Sequence, residues 1–508
     1  MTTSISKLAA EQLTRETAAK ETQTASNRST PVELVRTLAS RFIILMLCVT
    51  IVLSTLAYGT VHYWALAFFQ LGAFSLCILW LVDAWRSRAL RLSRNALQLP
   101  LLGLILLGLI QLLPIGTQAN ATAALSAPPV SSLSLDPFST RLALVQIGAL
   151  VIYFAAALAF IDSPKRLRLI VRTVTIFGFL LAIFGLIQSF TSPTKIYWLR
   201  DLPQSTPFGP FINRHHFAAY MEMALALPLG LLFSGAIESD KRPLYIFAVA
   251  MMGIALMMTG SRGGIISLVV EAIFFAVVVG FKKGEEGERS SAKTGRARAI
   301  LTRAGLAFAL MLMIIGGAVL FGGEAALSRF VGTVNSDDPT TGRAHFWGVT
   351  LDIIKDHPIL GTGLGSYGLA FTRYDTRNGF YRLEQAHNDY LQVMSDAGII
   401  GIALGLFFII VLFKSGFARR ETEDKFRRGV ATGALAGCFA VLVHSFFDFT
   451  LHTTANALLF LMLAALATLN GRVEEAATHR RRRRRRRRSV NQPSLPEIKN
   501  ETSAEPVR

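Results

Sequence analysis

The chain has 508 residues, of which 52% are apolar and only 17% charged. Soluble domains carry about a quarter charged residues, so this composition excludes an ordinary soluble enzyme and points to lipid as the solvent. The net charge is +19, and nine of the positive charges form one block, Arg480 to Arg488.

In chain order, a polar segment of some forty residues comes first, rich in Thr, Ala, Glu and Lys. It reads as a disordered tail over residues 1–40, with no cleavable signal peptide. Apolar runs of spanning length follow, at roughly 20 residues each. They are too long and too uniformly apolar for barrel strands, which alternate. About twelve spans are expected: Ile43–Gly59, Trp64–Leu81, Leu99–Ile115, Leu142–Ile161, Leu169–Phe190, His216–Phe233, Leu244–Met258, Gly263–Phe281, Gly305–Phe321, Gly398–Phe413, Gly429–Phe447 and Ala455–Asn470. The seventh and eighth are separated by Thr259-Gly260-Ser261-Arg262-Gly263-Gly264, where glycines permit a tight turn and an arginine is costly at mid-bilayer. Cys48, Cys77 and Cys438 all lie in apolar runs and read as packing residues. The expectation is an all-α integral membrane protein. Its polytopic domain covers residues 41–471, a long, partly helical loop covers 322–397, and a basic disordered tail covers 472–508.

Orientation follows from short basic loops, which stay in the cytoplasm. With the amino terminus inside, Arg86 to Arg94, Lys165 to Arg168, Lys241-Arg242, Lys282 to Arg303 and Lys414 to Arg428 all fall on the inner side. Both termini are then cytoplasmic. The opposite face receives residues 191–215, the Arg262 turn, the long loop and a short connection at Asp448.

Four groups are candidates on that outer face: Arg214, Arg262, Arg343 and His387. A lone interfacial arginine can be a snorkelling anchor. The alternative is an anion site, because guanidinium binds phosphate bidentately and keeps its proton. His387 can be a packing or capping histidine, or a proton acceptor near neutral pH. Other features read as structural. Gly361-Thr362-Gly363-Leu364-Gly365 follows no expected strand and lies outside the cytoplasm, so it is not a nucleotide loop. Asp337-Asp338 reads as a solvated pair. His444, Asp448 and His452 read as a polar cluster shaping a cavity floor, without metal-ligand spacing. The arginine block reads as an anionic-lipid contact, in preference to a nucleic-acid site.

The sequence His387-Asn388, nine residues, Gly398, two residues, Gly401 resembles the long-loop signature of O-antigen ligases. Thr259 to Gly264 resembles the family's first arginine segment, and Gly342-Arg343-Ala344-His345-Phe346-Trp347 the second. Gly209-Pro210-Phe211-Ile212-Asn213-Arg214-His215-His216-Phe217 and Asp356 to Gly365 are similar to further recurrent segments. The arginine segments differ from the family pattern in having Ile266 and Trp347, not leucine, four residues after the arginine. The resemblance implies a membrane glycosyltransferase of the bacterial inner membrane. It would move a glycan from an undecaprenyl pyrophosphate carrier to an acceptor hydroxyl on the periplasmic side. His387, Arg262 and Arg343 would be catalytic, and Arg214, Asn213, Asn388 and His216 would bind substrate. The acceptor would be a glycan or a lipid A core; no metal, cofactor or nucleic acid is expected, and the other contacts are with membrane lipids. A repeat-unit polymerase is an alternative within the superfamily, and a polytopic secondary transporter is one from another class.

Overall fold

The computed structural model describes residues 37–115, 132–203, 205–280, 343–377 and 383–469, with the single positions 305, 312 and 316. Residues 1–36, nearly all of the expected span Gly305–Phe321, the Asp337-Asp338 pair and the tail from residue 470 lie outside them.

The described helices are α1 (Leu38–Leu56), α2 (Tyr63–Ser87), α3 (Gln98–Gln111), α4 (Pro137–Phe160), α5 (Pro164–Thr191), α6 (Arg214–Ser234), α7 (Arg242–Met258), α8 (Arg262–Gly280), α9 (Arg343–Asp356), α10 (Tyr367–Tyr374), α11 (Asp389–Arg420), α12 (Lys425–His444) and α13 (Thr454–Thr468). Local chemistry sets several boundaries. The Asp136 carboxylate accepts from the Ser139 N–H at 3.0 Å and Pro137 opens α4. Asp424 caps α12 by accepting from the Phe426 N–H. Both are the usual ways of satisfying orphan donors at a helix start. Gly235, in the left-handed conformation, closes α6. Among the described residues the one ladder is a two-residue hairpin, with Lys195 opposite Asp201 and Ile196 opposite Arg200.

This is an all-α membrane protein. Among the described residues, seven helices (α1, α2, α4, α5, α6, α11 and α12) are long and apolar enough to cross a membrane. Eleven of the twelve expected segments coincide with helices, but α3, α7 and α13 are shorter than full spans. A helix of 14 residues such as α3 extends about 21 Å, less than the roughly 30 Å of a hydrocarbon core.

Helix α6 is the central one: every residue from His216 to Leu231 is buried. It packs against α12 through glycine. A Cβ on Gly230 would lie 2.4 Å from the Gly429 carbonyl oxygen and 2.6 Å from the Gly433 amide, so only glycine allows the backbones to meet. On the periphery, Phe68, Leu71, Phe74, Ile78 and Leu81 form an exposed stripe on α2 at helical spacing, the pattern of a lipid-facing surface.

Charges at one end of the bundle are paired off. Arg91 bridges Asp83 at 3.0 Å and Asp162 at 3.0 Å, and Arg166 bridges Asp162 at 3.2 Å. Arg166 also donates to the Ser40 hydroxyl at 2.7 Å, tying the start of α1 to α5. Two of the arginines expected in short basic loops are thus built into the framework. The opposite end carries the candidate site.

Candidate functional site

Three arginines occupy the first position of a helix: Arg214 of α6, Arg262 of α8 and Arg343 of α9. A helix start carries a partial positive charge, and a cation there is disfavoured by about 0.3–1 kcal/mol. Three such placements at one end of a bundle make a site suited to an anion, which would be held by backbone N–H groups, helix dipoles and guanidinium together. The local sequence builds these starts. Gly260, with φ of 63°, turns the chain between α7 and α8. Ser261 then caps α8 by accepting from the Gly264 N–H at 3.2 Å. The Asn213 side chain caps α6 by accepting from the His215 N–H at 2.9 Å.

Asp448 joins these starts. It sits in the turn after α12, with its side chain 1% exposed. Its Oδ1 lies 3.2 Å from His387 Nδ1, and its Oδ2 lies 3.6 Å from Arg343 Nη2 and 3.8 Å from His215 Nδ1. Arg343 also donates to the neighbouring Phe447 carbonyl. His215 in turn reaches Ser261, with 2.8 Å between Nδ1 and Oγ. Asp448 therefore reaches His215, the neighbour of Arg214, and through it Ser261, the neighbour of Arg262, while Asp448 meets Arg343 and His387 directly. Burial pushes the Asp448 carboxyl up, but the His387 hydrogen bond and the surrounding histidine charges more than offset it. The carboxyl is held well below the ordinary carboxylate range.

His387 is shaped for one orientation. Its backbone φ is 53°, a left-handed conformation uncommon outside glycine and found where a site imposes it. Its ring stacks on Phe346 at 6.3 Å between centroids and meets the edge of Phe449 at 4.9 Å. A carboxylate at Nδ1 fixes the ring proton there, which leaves Nε2 as the nitrogen able to accept a proton. The side chain is 26% exposed, so a substrate can reach it.

The spacing after His387 has a structural cause. Asn388 Oδ1 accepts from the Tyr390 and Leu391 N–H groups at 3.0 and 3.1 Å, and its Nδ2 donates to the Phe446 carbonyl at 3.1 Å. Helix α11 starts there and breaks nine residues later at Gly398, where φ is 60° and ψ is −159°. At the break the Ile399 N–H bonds the Pro358 carbonyl at 2.9 Å, and a Cβ on Gly398 would lie 2.2 Å from the Ile359 oxygen. The Gly361–Gly365 segment is held in the same junction: the Thr362 N–H bonds the Ser395 carbonyl at 2.8 Å, and the Gly365 N–H bonds Asp396 Oδ2 at 3.1 Å. The glycine-rich run is thus a joint that seats the first turns of α11, which begin directly after His387 and its neighbour Asn388. Asp389 fixes the other side, accepting from His452 Nδ1 at 2.7 Å, from Ser445 Oγ at 2.7 Å and from the Leu451 N–H at 3.1 Å.

Of the residues singled out from sequence, Arg343 and His387 converge on Asp448, and Arg214 and Arg262 flank the same network. Asn213 and Asn388 serve as helix caps. His216 lies behind the site: it is 6% exposed, its Nδ1 lies 2.8 Å from Thr453 Oγ1, and its ring meets Phe449 at 4.8 Å. Sequence reasoning missed His215, Ser261 and the central part played by Asp448. The adjacency of His215 to Arg214 and of Ser261 to Arg262 is the signal that could have found the first two. Among the described residues no three His, Cys, Asp or Glu side chains are grouped to hold a metal ion.

Residues 247–406 match the family model described as O-Antigen ligase. That stretch contains Arg262, Arg343 and His387, whereas Arg214 and Asp448 lie outside it. A Pseudomonas aeruginosa protein described as an O-antigen ligase is 25% identical over 276 residues, covering 54% of this chain and 57% of that protein. The chain thus spans little more than half the length of this curated relative. The arginine-headed helices and the histidine joint lie in or beside the stretch that the family model matches, and both comparisons find this chain similar to O-antigen ligases.

Proposed function

We propose that the protein is a glycosyltransferase of the bacterial inner membrane that moves a glycan from an undecaprenyl pyrophosphate carrier to an acceptor hydroxyl on the periplasmic side. The observation that carries this reading is the placement of Arg214, Arg262 and Arg343 at three helix starts around the His387–Asp448 pair. Arg262 and Arg343, helped by Arg214, bind the pyrophosphate. Their charge compensates what develops on the leaving oxygen, the part a divalent metal plays in other enzymes. Asn213, Asn388 and His216 keep the substrate-facing groups in place.

His387 Nε2 accepts the proton of the acceptor hydroxyl. The acceptor oxygen bonds to the glycan's anomeric carbon, the bond from that carbon to the pyrophosphate oxygen breaks, and its electron pair leaves with the carrier. Asp448 holds the imidazole in the tautomer that makes this possible. Ligation to a lipid A core is the reading we favour, and repeat-unit polymerisation uses the same chemistry. A transporter would place its charged site near mid-membrane between broken helices, whereas these arginines and His387 gather at one end of the bundle.

The test is direct. Purified protein in lipid vesicles, given a lipid-pyrophosphate glycan and either a lipid A core or a second lipid-linked glycan, should form a glycosidic product with release of the lipid pyrophosphate. Transport of the intact donor without any new glycosidic bond would overturn the proposal.

A further inference from the structure

Below the arginines lies a set of polar groups that transfer chemistry does not use. Glu222 of α6, His444 at the end of α12 and Ser261 ahead of α8 are all fully buried. Glu222 is eight residues into α6, about 12 Å along the axis from Arg214. Ionisable groups at such depth are costly and mark function more often than packing.

These groups form one continuous chain. His444 Nδ1 lies 3.1 Å from Glu222 Oε2, and His444 Nε2 lies 3.4 Å from Ser261 Oγ. Ser261 Oγ in turn lies 2.8 Å from His215 Nδ1 and accepts from the Gly264 N–H at 3.2 Å. The carboxylate gives the chain a direction. Glu222 accepts from His444 Nδ1–H, so His444 Nε2 is bare and accepts the Ser261 hydroxyl proton. The serine lone pairs then receive His215 Nδ1–H and the Gly264 N–H. Each member has its donors and acceptors matched. Shape agrees with this order. A Cβ on Gly263 would lie 2.5 Å from His444 Cδ2, and one on Gly264 would lie 2.9 Å from the Ala218 Cβ. The absence of side chains lets the imidazole and α6 close directly on residues 261–264.

The chain links the backbones that carry two of the arginines. Ser261 precedes Arg262, and His215 follows Arg214. We propose that Glu222, acting through His444 and Ser261, is a positioning residue that fixes the Arg262 turn relative to the Arg214 helix start, so that both guanidinium groups address the same anion. This deepens the pyrophosphate reading and rests on it. A buried carboxylate–imidazole hydrogen bond suits the task because it specifies register, where apolar packing leaves the turn free to shift.

The experiment measures donor KM, acceptor KM and thermal stability in vesicles for Ser261→Ala, Ser261→Thr, Glu222→Gln and, as a reference, Arg262→Ala. Ser261→Ala should raise donor KM about tenfold, the size of one lost hydrogen bond, with acceptor KM unchanged. Ser261→Thr keeps the hydroxyl and should restore most of the loss. Glu222→Gln removes the charge that orders the chain and should raise donor KM severalfold, again without touching acceptor KM. If Arg262→Ala raises donor KM while Ser261→Ala and Glu222→Gln do not, the positioning inference is wrong and the pyrophosphate reading stands. If donor and acceptor KM rise together with a fall in melting temperature, the chain is only structural and the inference is likewise wrong. Unchanged donor KM in Arg262→Ala would remove the pyrophosphate reading itself.

Discussion

His387 Nδ1 and Asp448 Oδ1 meet at 3.2 Å, joining the long loop to the turn after α12. The pair orients the imidazole, so its two members should fail differently. His387→Ala is expected to lower transfer about 10²–10⁴-fold, the usual worth of a general base, while retaining donor binding. Asp448→Asn keeps the shape, loses the charge opposite His387 and Arg343, and should lower transfer by a smaller factor. Equilibrium binding of a labelled lipid-pyrophosphate glycan, run beside the transfer assay, separates the two effects. Loss of donor binding in His387→Ala as severe as in the arginine variants would move the histidine to the pyrophosphate side.

Arg262 and Arg343 are expected to need their planar fork as well as their charge. Alanine at either position should reduce transfer about 10²–10³-fold, in line with loss of a preorganised donor to a developing anion. Lysine should recover only part of it. Because arginines carry this charge, transfer should persist after exhaustive chelation. Full activity in Arg262→Lys and Arg343→Lys, or a chelator effect reversed by magnesium, would contradict the assignment.

Gly398 is the position where the helix carrying the histidine joint must break. Its φ of 60° and the 2.2 Å approach of the Ile359 oxygen leave no room for a Cβ. Gly398→Ala should destabilise the protein by more than about 1 kcal/mol, because the native backbone is incompatible with a side chain. A melting temperature equal to that of the parent, measured in detergent, would show that the joint tolerates a side chain there.

His452 supplies a pH dependence whose sign can be stated. Desolvation pulls its imidazole down, and the hydrogen bond and charge of Asp389 more than offset that, so its pKa is raised. A raised folded value means that the His452–Asp389 pair stabilises the fold fully below the unfolded value of about 6.5. That contribution fades as pH rises through the folded value. The protein should therefore melt at lower temperature on the alkaline side, and Asp389→Asn should flatten that dependence. An unchanged slope between pH 6 and pH 9 in Asp389→Asn would show that this pair is not its source.

Topology is the last expectation. The site should face away from the cytoplasm, with the α6–α7 connection inside. In a Cys77→Ala background, Asp201→Cys should react with an impermeant thiol reagent from outside intact cells after outer-membrane permeabilisation. Ser239→Cys should react only in inverted vesicles. Labelling of both from one side would overturn the orientation.

The sequence by itself determined the solvent, the helix class and most helix positions, because twenty apolar residues in a row have one outcome in lipid. It also marked the three arginines and the histidine, since charged residues beside apolar runs stand out against a low background. It could read the gap between Asn388 and Gly398 only as a pattern, because the reason for it, the close approach of the Pro358–Gly361 backbone, lies far away in the chain. Hydropathy, which measures apolarity and not where a helix ends, likewise ran the third span on to Ile115, whereas α3 stops at Gln111. Only the tertiary structure made Asp448 the centre. Its partners His215, Arg343 and His387 come from three separate segments, and nothing about an aspartate in a short turn says which of them will close around it. Hydrophobic pattern is a local property that each segment carries alone, whereas a buried charge is defined by its partners, and those are chosen by packing.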